Sequence, residues 1–357
     1  MGRIFGQHPA KAVTKLGGAA LALFMLTAAL CTGCGAAPAA EPSPDDAGGY
    51  TGQVMLYCSM QDQQIQAIQQ GFEEKYPEIK MNYYFAGTGK ILTKLAAESQ
   101  SGDISADVVW MGTSSSYVAL KKDRMLSPYI SPQAINIDPS FIDPHFYYTG
   151  ARLISVCIAY NKNLVSPADA PKTWRELLDP KWRGKVVMTD PGSAGSTQYF
   201  VGALMANPAY GEDFFEKLYA NGCALESGTT ATHMRVADGD YPIGICLDYV
   251  SENMADEGQP IAYQIPAEDM ISISCPLGLV AGCPDERNGR LLYDFILSKE
   301  GQQILVDNHL HSIREDVEQP GVSVQTILDT RMPVDDGYLS AHGDETLHAF
   351  DRIFFRA

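Results

Sequence analysis

The sequence lacks most of the short signatures that mark an enzyme or a metal protein. No CxxC pair occurs, which argues against a zinc ribbon or a dithiol redox motif. No HExxH occurs either, and Gly89-Lys90 is followed by Ile91 rather than Ser or Thr, so it is no Walker A loop. Pro191-Gly192-Ser193-Ala194-Gly195 lacks the residue between Gly and Ser that a nucleophile elbow needs. An exported hydrolase stays only as an alternative from another class, and neither enzymatic activity nor a cofactor is expected. Positive charge is scarce: 26 Lys and Arg stand against 43 Asp and Glu, for a net charge of −17. Such a surface repels polyanions, which argues against nucleic acid and anionic lipid headgroups as partners. It does not forbid a small anion held locally by backbone N–H groups. Long apolar runs are missing too. Leu16 to Leu30 is about 15 residues, where a spanning helix needs ~20.

That short run follows Arg3, Lys11 and Lys15 and ends at Leu30-Cys31-Thr32-Gly33-Cys34. A basic head, an apolar segment and a small residue before a cysteine read as a secretory leader. Residues 1–33 resemble a bacterial lipoprotein signal, which implies cleavage after Gly33 and lipid on Cys34. Residues 34–50 hold almost no large apolar side chain and are expected to form a flexible tether. The chain is therefore expected outside the cytoplasm, lipid-anchored to the cell membrane at the cell surface or in the periplasm. Membrane contact would run through the anchor. Six further cysteines (Cys58, Cys157, Cys223, Cys246, Cys275 and Cys283) read as buried thiols, although export also permits disulfides.

About 307 residues remain, more than one typical core, and they predict two domains. Val54 to Tyr57, Ile79 to Phe85 and Ala106 to Trp110 are β-rich, and each is followed by apolar residues at helical spacing. Three β-α units predict a parallel sheet with helices on its faces. A second series runs through Lys185 to Met188, a helix near Ser196 to Met205, and Tyr241 to Leu247. Extended stretches at Arg152 to Tyr160 and Ile271 to Ala281 look like two crossovers. The predicted class is α/β: two discontinuous lobes, each a mostly parallel sheet flanked by helices, with a cleft between. Lobe one takes 51–150 plus 276–357, and lobe two takes 151–275.

Glycine and hydroxyl clusters recur where strands hand over to helices. They are Cys58-Ser59-Met60, Gly87-Thr88-Gly89, Gly112 to Ser116 and Pro191 to Thr197. In an open parallel sheet those ends form the ligand crevice, and helix N-termini there attract anions. Ser, Thr and Asn are also ordinary helix caps, so any one cluster alone says little. Asp248-Tyr249 closes the run Tyr241 to Leu247. Asp248 either meets a ligand's hydroxyl or ammonium group or caps the helix that follows. His309-Leu310-His311 reads as surface residues, so no metal site is assigned.

Several segments together resemble solute-binding proteins of ABC importers. They include Leu56-Tyr57-Cys58-Ser59, Phe72 to Pro77, Gly87-Thr88-Gly89-Lys90, Tyr160-Asn161-Lys162, Pro171 to Lys185 and Phe295 to Gln303. The branch is the type II periplasmic-binding fold that includes ferric-iron, phosphonate and hexose-phosphate binders. The likeness covers about 53–317, and residues 318–357 lie outside it and receive no function. It implies a monomer that closes on a small ligand and is read by a membrane permease. A small organic anion, a phosphate ester or a phosphonate, is expected. Its candidate ligand residues are Ser59, Thr88, Gly89, Ser114, Ser193, Ser196, Thr197, Asp248 and Tyr249. Ferric iron is the alternative, but Asp248-Tyr249 stands where ferric binders carry adjacent tyrosines.

Overall fold

The computed structural model describes residues 49–320 and 323–355. The expected leader, Cys34 and the tether up to residue 48 lie outside the described residues. Among the described residues no helix is long and apolar enough to cross a membrane.

The chain opens with three strand–helix units: β1 (Gly52–Cys58), α1 (Asp62–Lys75), β2 (Ile79–Phe85), α2 (Thr88–Ser101), β3 (Val108–Trp110) and α3 (Ser114–Lys122). The short strands β4 (Leu126–Ser127) and β5 (Thr149–Gly150) flank the Pro-broken loop. The second series is β6 (Ile154–Asn161), β7 (Val186–Thr189), α4 (Gly195–Ala206), α5 (Gly211–Ala220), β8 (Ala224–Glu226), α6 (Thr229–Ala237), β9 (Ile243–Leu247), α7 (Asp248–Asp256), β10 (Ile261–Gln264) and β11 (Ser272–Ile273). Then come β12 (Pro276–Val280), α8 (Glu286–Leu297), α9 (Lys299–Val306), α10 (Val324–Thr330) and α11 (Asp336–Phe354).

Two open sheets result. One runs β2-β1-β3-β12-β4 with β5 on β12; the other runs β10-β6-β9-β7-β8 with β11 on β6. β2, β1 and β3 are mutually parallel, as are β9, β7 and β8. β12 and β6 run antiparallel to β3 and β9. The parallel halves come from helical connections that return the chain to the same end of the sheet. β6 and β12 instead enter each sheet from the other lobe, in the opposite direction. The predicted α/β class with two helix-flanked sheets holds, and each sheet is mixed.

The chain crosses between sheets at 151–153 and again at 274–275, inside the two extended stretches. Both crossings are pinned. Trp110, fully buried on β3, donates its indole N–H to Cys275 O at 2.9 Å. Buried Gln302 donates to Ala151 O at 2.7 Å and to Ile296 O at 2.9 Å, and its Oε1 accepts from Ser312 and Ile313. A buried amide whose hydrogen bonds are met on several sides fixes backbone that would otherwise be unpaired.

The C-terminal segment differs from its expected place in lobe one. α11 packs on α4 and α5 of the second series as well as on α3 of the first. A Cβ on Gly202 of α4 would lie 3.0 Å from Leu339, and Phe350 stacks edge-on to Phe215 at 5.8 Å. α4 and α5 expose an apolar outer face that needs a covering layer, and α11 supplies it. The six described cysteines are free thiols, five of them buried, and burial pushes Cys58 up to about 12.

Candidate functional site

Helix starts define the site. α1, α2, α3, α4, α6 and α7 begin after Gln61, Gly87, Thr113, Ala194, Gly228 and Leu247, and none of these residues makes a side-chain cap hydrogen bond. By contrast α8, α9, α10 and α11 are capped by the side chains of Asp285, Ser298, Ser323 and Asp335. The starts of α1, α2, α4, α6 and α7 line one cavity of about 910 Å³ between the sheets, and Gly112 brings the turn before α3 to it; α5, also uncapped after Tyr210, starts away from it. Uncapped N-termini leave backbone donors and a partial positive charge available to an anion.

The two sides of this cavity touch. A Cβ on Gly87 would lie 2.8 Å from Ser193 O, and one on Gly195 would lie 2.6 Å from Thr88 Oγ1. Glycine is therefore what allows these turns to meet. Gln61 donates to Thr230 Oγ1 at 3.5 Å across the same gap. Ser59 Oγ accepts from Gly112 N at 3.0 Å and ties the first and third turns of lobe one together.

Arg152, in the first crossover, forms the floor. It is 3 % exposed, lies over the rings of Trp110 and Tyr249, and its Nε and Nη1 have no hydrogen-bond partner. A buried guanidinium with unpaired N–H groups is costly unless something meets it. Lys90 and Lys94 also line the cavity, and no carboxylate does among the described lining residues. Lys94 is paired with Glu98 at 2.6 Å, so Arg152 and Lys90 carry the cleft's positive charge in an acidic protein. Burial raises the Tyr249 phenol, and the Arg152 charge only partly offsets this.

The structure brings Ser59, Thr88, Gly89, Ser193, Ser196 and Tyr249 to the cavity. It does not bring Ser114, Thr197 or Asp248 there. Thr197 faces a small void beneath α4. Ser114 is buried in the first turn of α3, off the cavity wall. Asp248 is 1 % exposed; its carboxylate accepts from Ser155 N at 3.0 Å and Tyr249 N at 2.8 Å, and lies 3.3 Å from His311 Nε2. A carboxylate already held by two backbone donors and an imidazole, off the cavity wall, is not placed to meet a ligand. His311, expected at the surface, is a half-buried partner of Asp248. The turn after Gly192 also differs in detail. Asp190 takes the Gly192 and Ser193 N–H groups and the Ser193 hydroxyl, so the open helix start lies later, at Gly195.

Sequence reasoning missed Arg152 and the turn Ser227-Gly228-Thr229-Thr230. The second carries the same glycine–hydroxyl pattern as the other turns and was legible. The first shows only as a lone charge opening an apolar run.

Among the described residues no group of three or more His, Cys, Asp or Glu is placed to hold a metal. Residues 55–311 match the profile of the bacterial extracellular solute-binding proteins. The chain belongs to that family. Among curated relatives, an uncharacterized protein of Haemophilus influenzae is 27 % identical over 71 % of this chain and 75 % of its own length. A putative 2-aminoethylphosphonate-binding periplasmic protein of Salmonella paratyphi A is 26 % identical over 63 % of this chain and 66 % of its own. Of solved structures, the fructose-6-phosphate-bound periplasmic binding protein AfuA of Actinobacillus pleuropneumoniae superposes with TM-score 0.75. It is 22 % identical, covering 86 % of this chain and all of that one. Iron-bound HitA of Pseudomonas aeruginosa superposes at 0.73 and 18 % identity, over 84 % of this chain and 99 % of that one. At such identities the structural likeness shows the fold. This solute-binding protein is extracytoplasmic, with the two-lobed fold of its structural neighbours.

Proposed function

We propose that this solute-binding protein captures a small organic anion with a phosphate or phosphonate head and passes it, lobes closed, to an ABC permease. The observation that carries this reading is Arg152, a buried guanidinium that lines a cavity with no carboxylate among its described lining residues and whose Nε and Nη1 have no hydrogen-bond partner. The head sits between Arg152 and the open starts of α2 and α4, where Thr88, Gly89 and Ser196 add donors. Charge-assisted hydrogen bonds are the strong ones, and a tetrahedral oxyanion accepts several at once. Ser59, Ser193 and Tyr249 contact the remainder. A relative named for 2-aminoethylphosphonate and a neighbour holding fructose 6-phosphate both fit this chemistry. Lipid on Cys34 would keep the receptor beside its permease, with lobe two inserted between the two parts of lobe one.

The iron-bound neighbour suggests a ferric reading. Among the described lining residues only Tyr84 and Tyr249 offer phenols to the cavity, and Arg152 stands over Tyr249. A guanidinium beside the site repels a trivalent cation and attracts an anion. Thermal unfolding of the full chain with fructose 6-phosphate, 2-aminoethylphosphonate and ferric citrate tests the choice. At a hundredfold excess over Kd a ligand adds about 2.7 kcal/mol, so a phosphorus compound is expected to raise Tm by several degrees. A rise with ferric citrate alone would overturn the reading.

A further inference from the structure

The cavity of about 910 Å³ is far larger than a phosphate or phosphonate head, and the rest of it receives the solute's tail. What that tail carries follows from what the wall lacks. No carboxylate stands among the described lining residues. The acidic residues nearest the wall along the chain are held elsewhere. Asp62 accepts from the Tyr83 hydroxyl and from Gln66, both at 2.9 Å, and Glu98 meets Lys94 and the Tyr57 hydroxyl, both at 2.6 Å. Asp190 accepts from Gly192 N at 2.8 Å, Glu226 pairs with Arg235 at 2.7 Å, and Asp248 is held by Ser155 N and His311. The aromatic faces are taken as well. Lys94 Nζ lies 5.5 Å from the centre of the Tyr84 ring, and Arg152 Cζ lies 5.3 Å from that of Tyr249. Phe85, the third lining ring, is 48 % exposed, and a ring in water attracts a cation only weakly.

We infer that the solute's tail bears hydroxyl groups and no ammonium group, so that between two phosphorus compounds with the same head this receptor takes the hydroxylated one and rejects its aminated counterpart. The inference rests on the anion reading and adds the half of the solute that reading leaves open. An ammonium group drawn into the cavity would leave water without gaining a carboxylate or a free buried ring face, which costs affinity. It would also enter a space that already holds Arg152, Lys90 and the uncapped, positive ends of α1, α2, α4, α6 and α7. A hydroxyl meets neither penalty. Gln61, Ser227, Thr229 and Thr230 line the cavity, and Gln61 meets Thr230 at 3.5 Å. Amide and hydroxyl groups both donate and accept, as a hydroxylated tail does, and a purely apolar tail would leave them unpaired. An unpaired charge in the wrong solute is a sufficient source of specificity.

Titration calorimetry of the full chain against two matched pairs tests it: 2-hydroxyethylphosphonate with 2-aminoethylphosphonate, and glucose 6-phosphate with glucosamine 6-phosphate. Within each pair the head is shared and one hydroxyl is exchanged for an amine, so the ratio of the two dissociation constants cancels the head. Measurement at about pH 6, below the usual range of amines, keeps both amines charged. In whichever pair binds, the hydroxylated member is expected to bind about tenfold more tightly or better. The deoxygenated counterparts, ethylphosphonate and 2-deoxyglucose 6-phosphate, are expected to bind about threefold more weakly than the hydroxylated compounds, the size of one hydrogen bond. An aminated member that binds as tightly as its hydroxylated partner, or more tightly, would overturn the inference and leave the anion reading in place. A deoxygenated compound that binds as well as the hydroxylated one would overturn the part that assigns hydroxyls to the tail. Binding of none of the six would strike the anion reading itself, and the inference with it.

Discussion

Arg152 and Asp248 show how placement, more than residue type, assigns a charged side chain its work. Both are buried, but Asp248 spends its carboxylate on backbone donors and His311 off the cavity wall, whereas Arg152 lines the cavity and leaves Nε and Nη1 unpaired. Replacing Arg152 with Gln is expected to remove anion binding by about ten- to a hundredfold, the size of one or two charge-assisted hydrogen bonds. Titration calorimetry would show it. Asp248→Asn is expected instead to lower Tm, because it disturbs backbone groups of β6 and α7 and touches no cavity wall. His311 gives a pH signature. Burial lowers its pKa, but the hydrogen bond and charge of Asp248 raise it more, and the net position is above the ordinary 6.5. The stability it contributes is complete below the unfolded value and is lost as pH rises through the folded one. Wild-type Tm is thus expected to fall relative to His311→Gln between about pH 6 and 8; a constant difference would contradict the pairing. The sequence displayed Asp248 at a strand's end, and strand ends are where ligands bind, but it could not display the Ser155 N–H, 93 residues upstream, or His311, well downstream, that occupy the carboxylate.

Elements explain why the turns were legible and the helix caps were not. Gly87-Thr88-Gly89 and the run from Pro191 to Thr197 are visible as glycine–hydroxyl clusters after β-rich runs, and both reach the cavity. Whether such residues cap their own helices depends on side-chain direction, which composition does not fix. In the structure α1, α2, α4, α6 and α7 start uncapped at the cavity, α3 and α5 start uncapped away from its wall, and α8 to α11 start capped elsewhere. The parallel strands were readable because each is followed by a helix of matching period. The antiparallel entry of β6 and β12 was not, since their pairing is decided by residues in the other part of the chain. Glycine at the lobe contact carries its own expectation. A Cβ on Gly195 would collide with Thr88 Oγ1 at 2.6 Å and approach Thr113 at 3.1 Å, both on the opposite lobe. Open lobes relieve that collision. Gly195→Ala is therefore expected to leave ligand-free Tm unchanged and to weaken binding by the cost of overpacking, about 1–3 kcal/mol. A parallel loss of Tm would mean that Gly195 serves the fold rather than closure.

At the scale of the whole molecule, net charge and local charge point in opposite directions. The chain carries −17, yet the described cavity wall holds Arg152, Lys90 and Lys94 and no carboxylate. The acidic exterior disfavours polyanions, and in the proposed function the cleft would hold a small anion against the helix starts. In the proposed function the two pinned crossovers would be the hinge about which the lobes close on that anion. The most direct measurement is the dissociation constant of the full chain for the phosphorus compound that raises Tm most, taken side by side for wild type and Arg152→Gln. Binding in the wild type that falls at least tenfold in the variant, with ligand-free Tm retained, is the expected result. Equal affinity in both proteins, or binding of ferric citrate alone that is lost in Tyr249→Phe, would contradict an anion receptor built on Arg152.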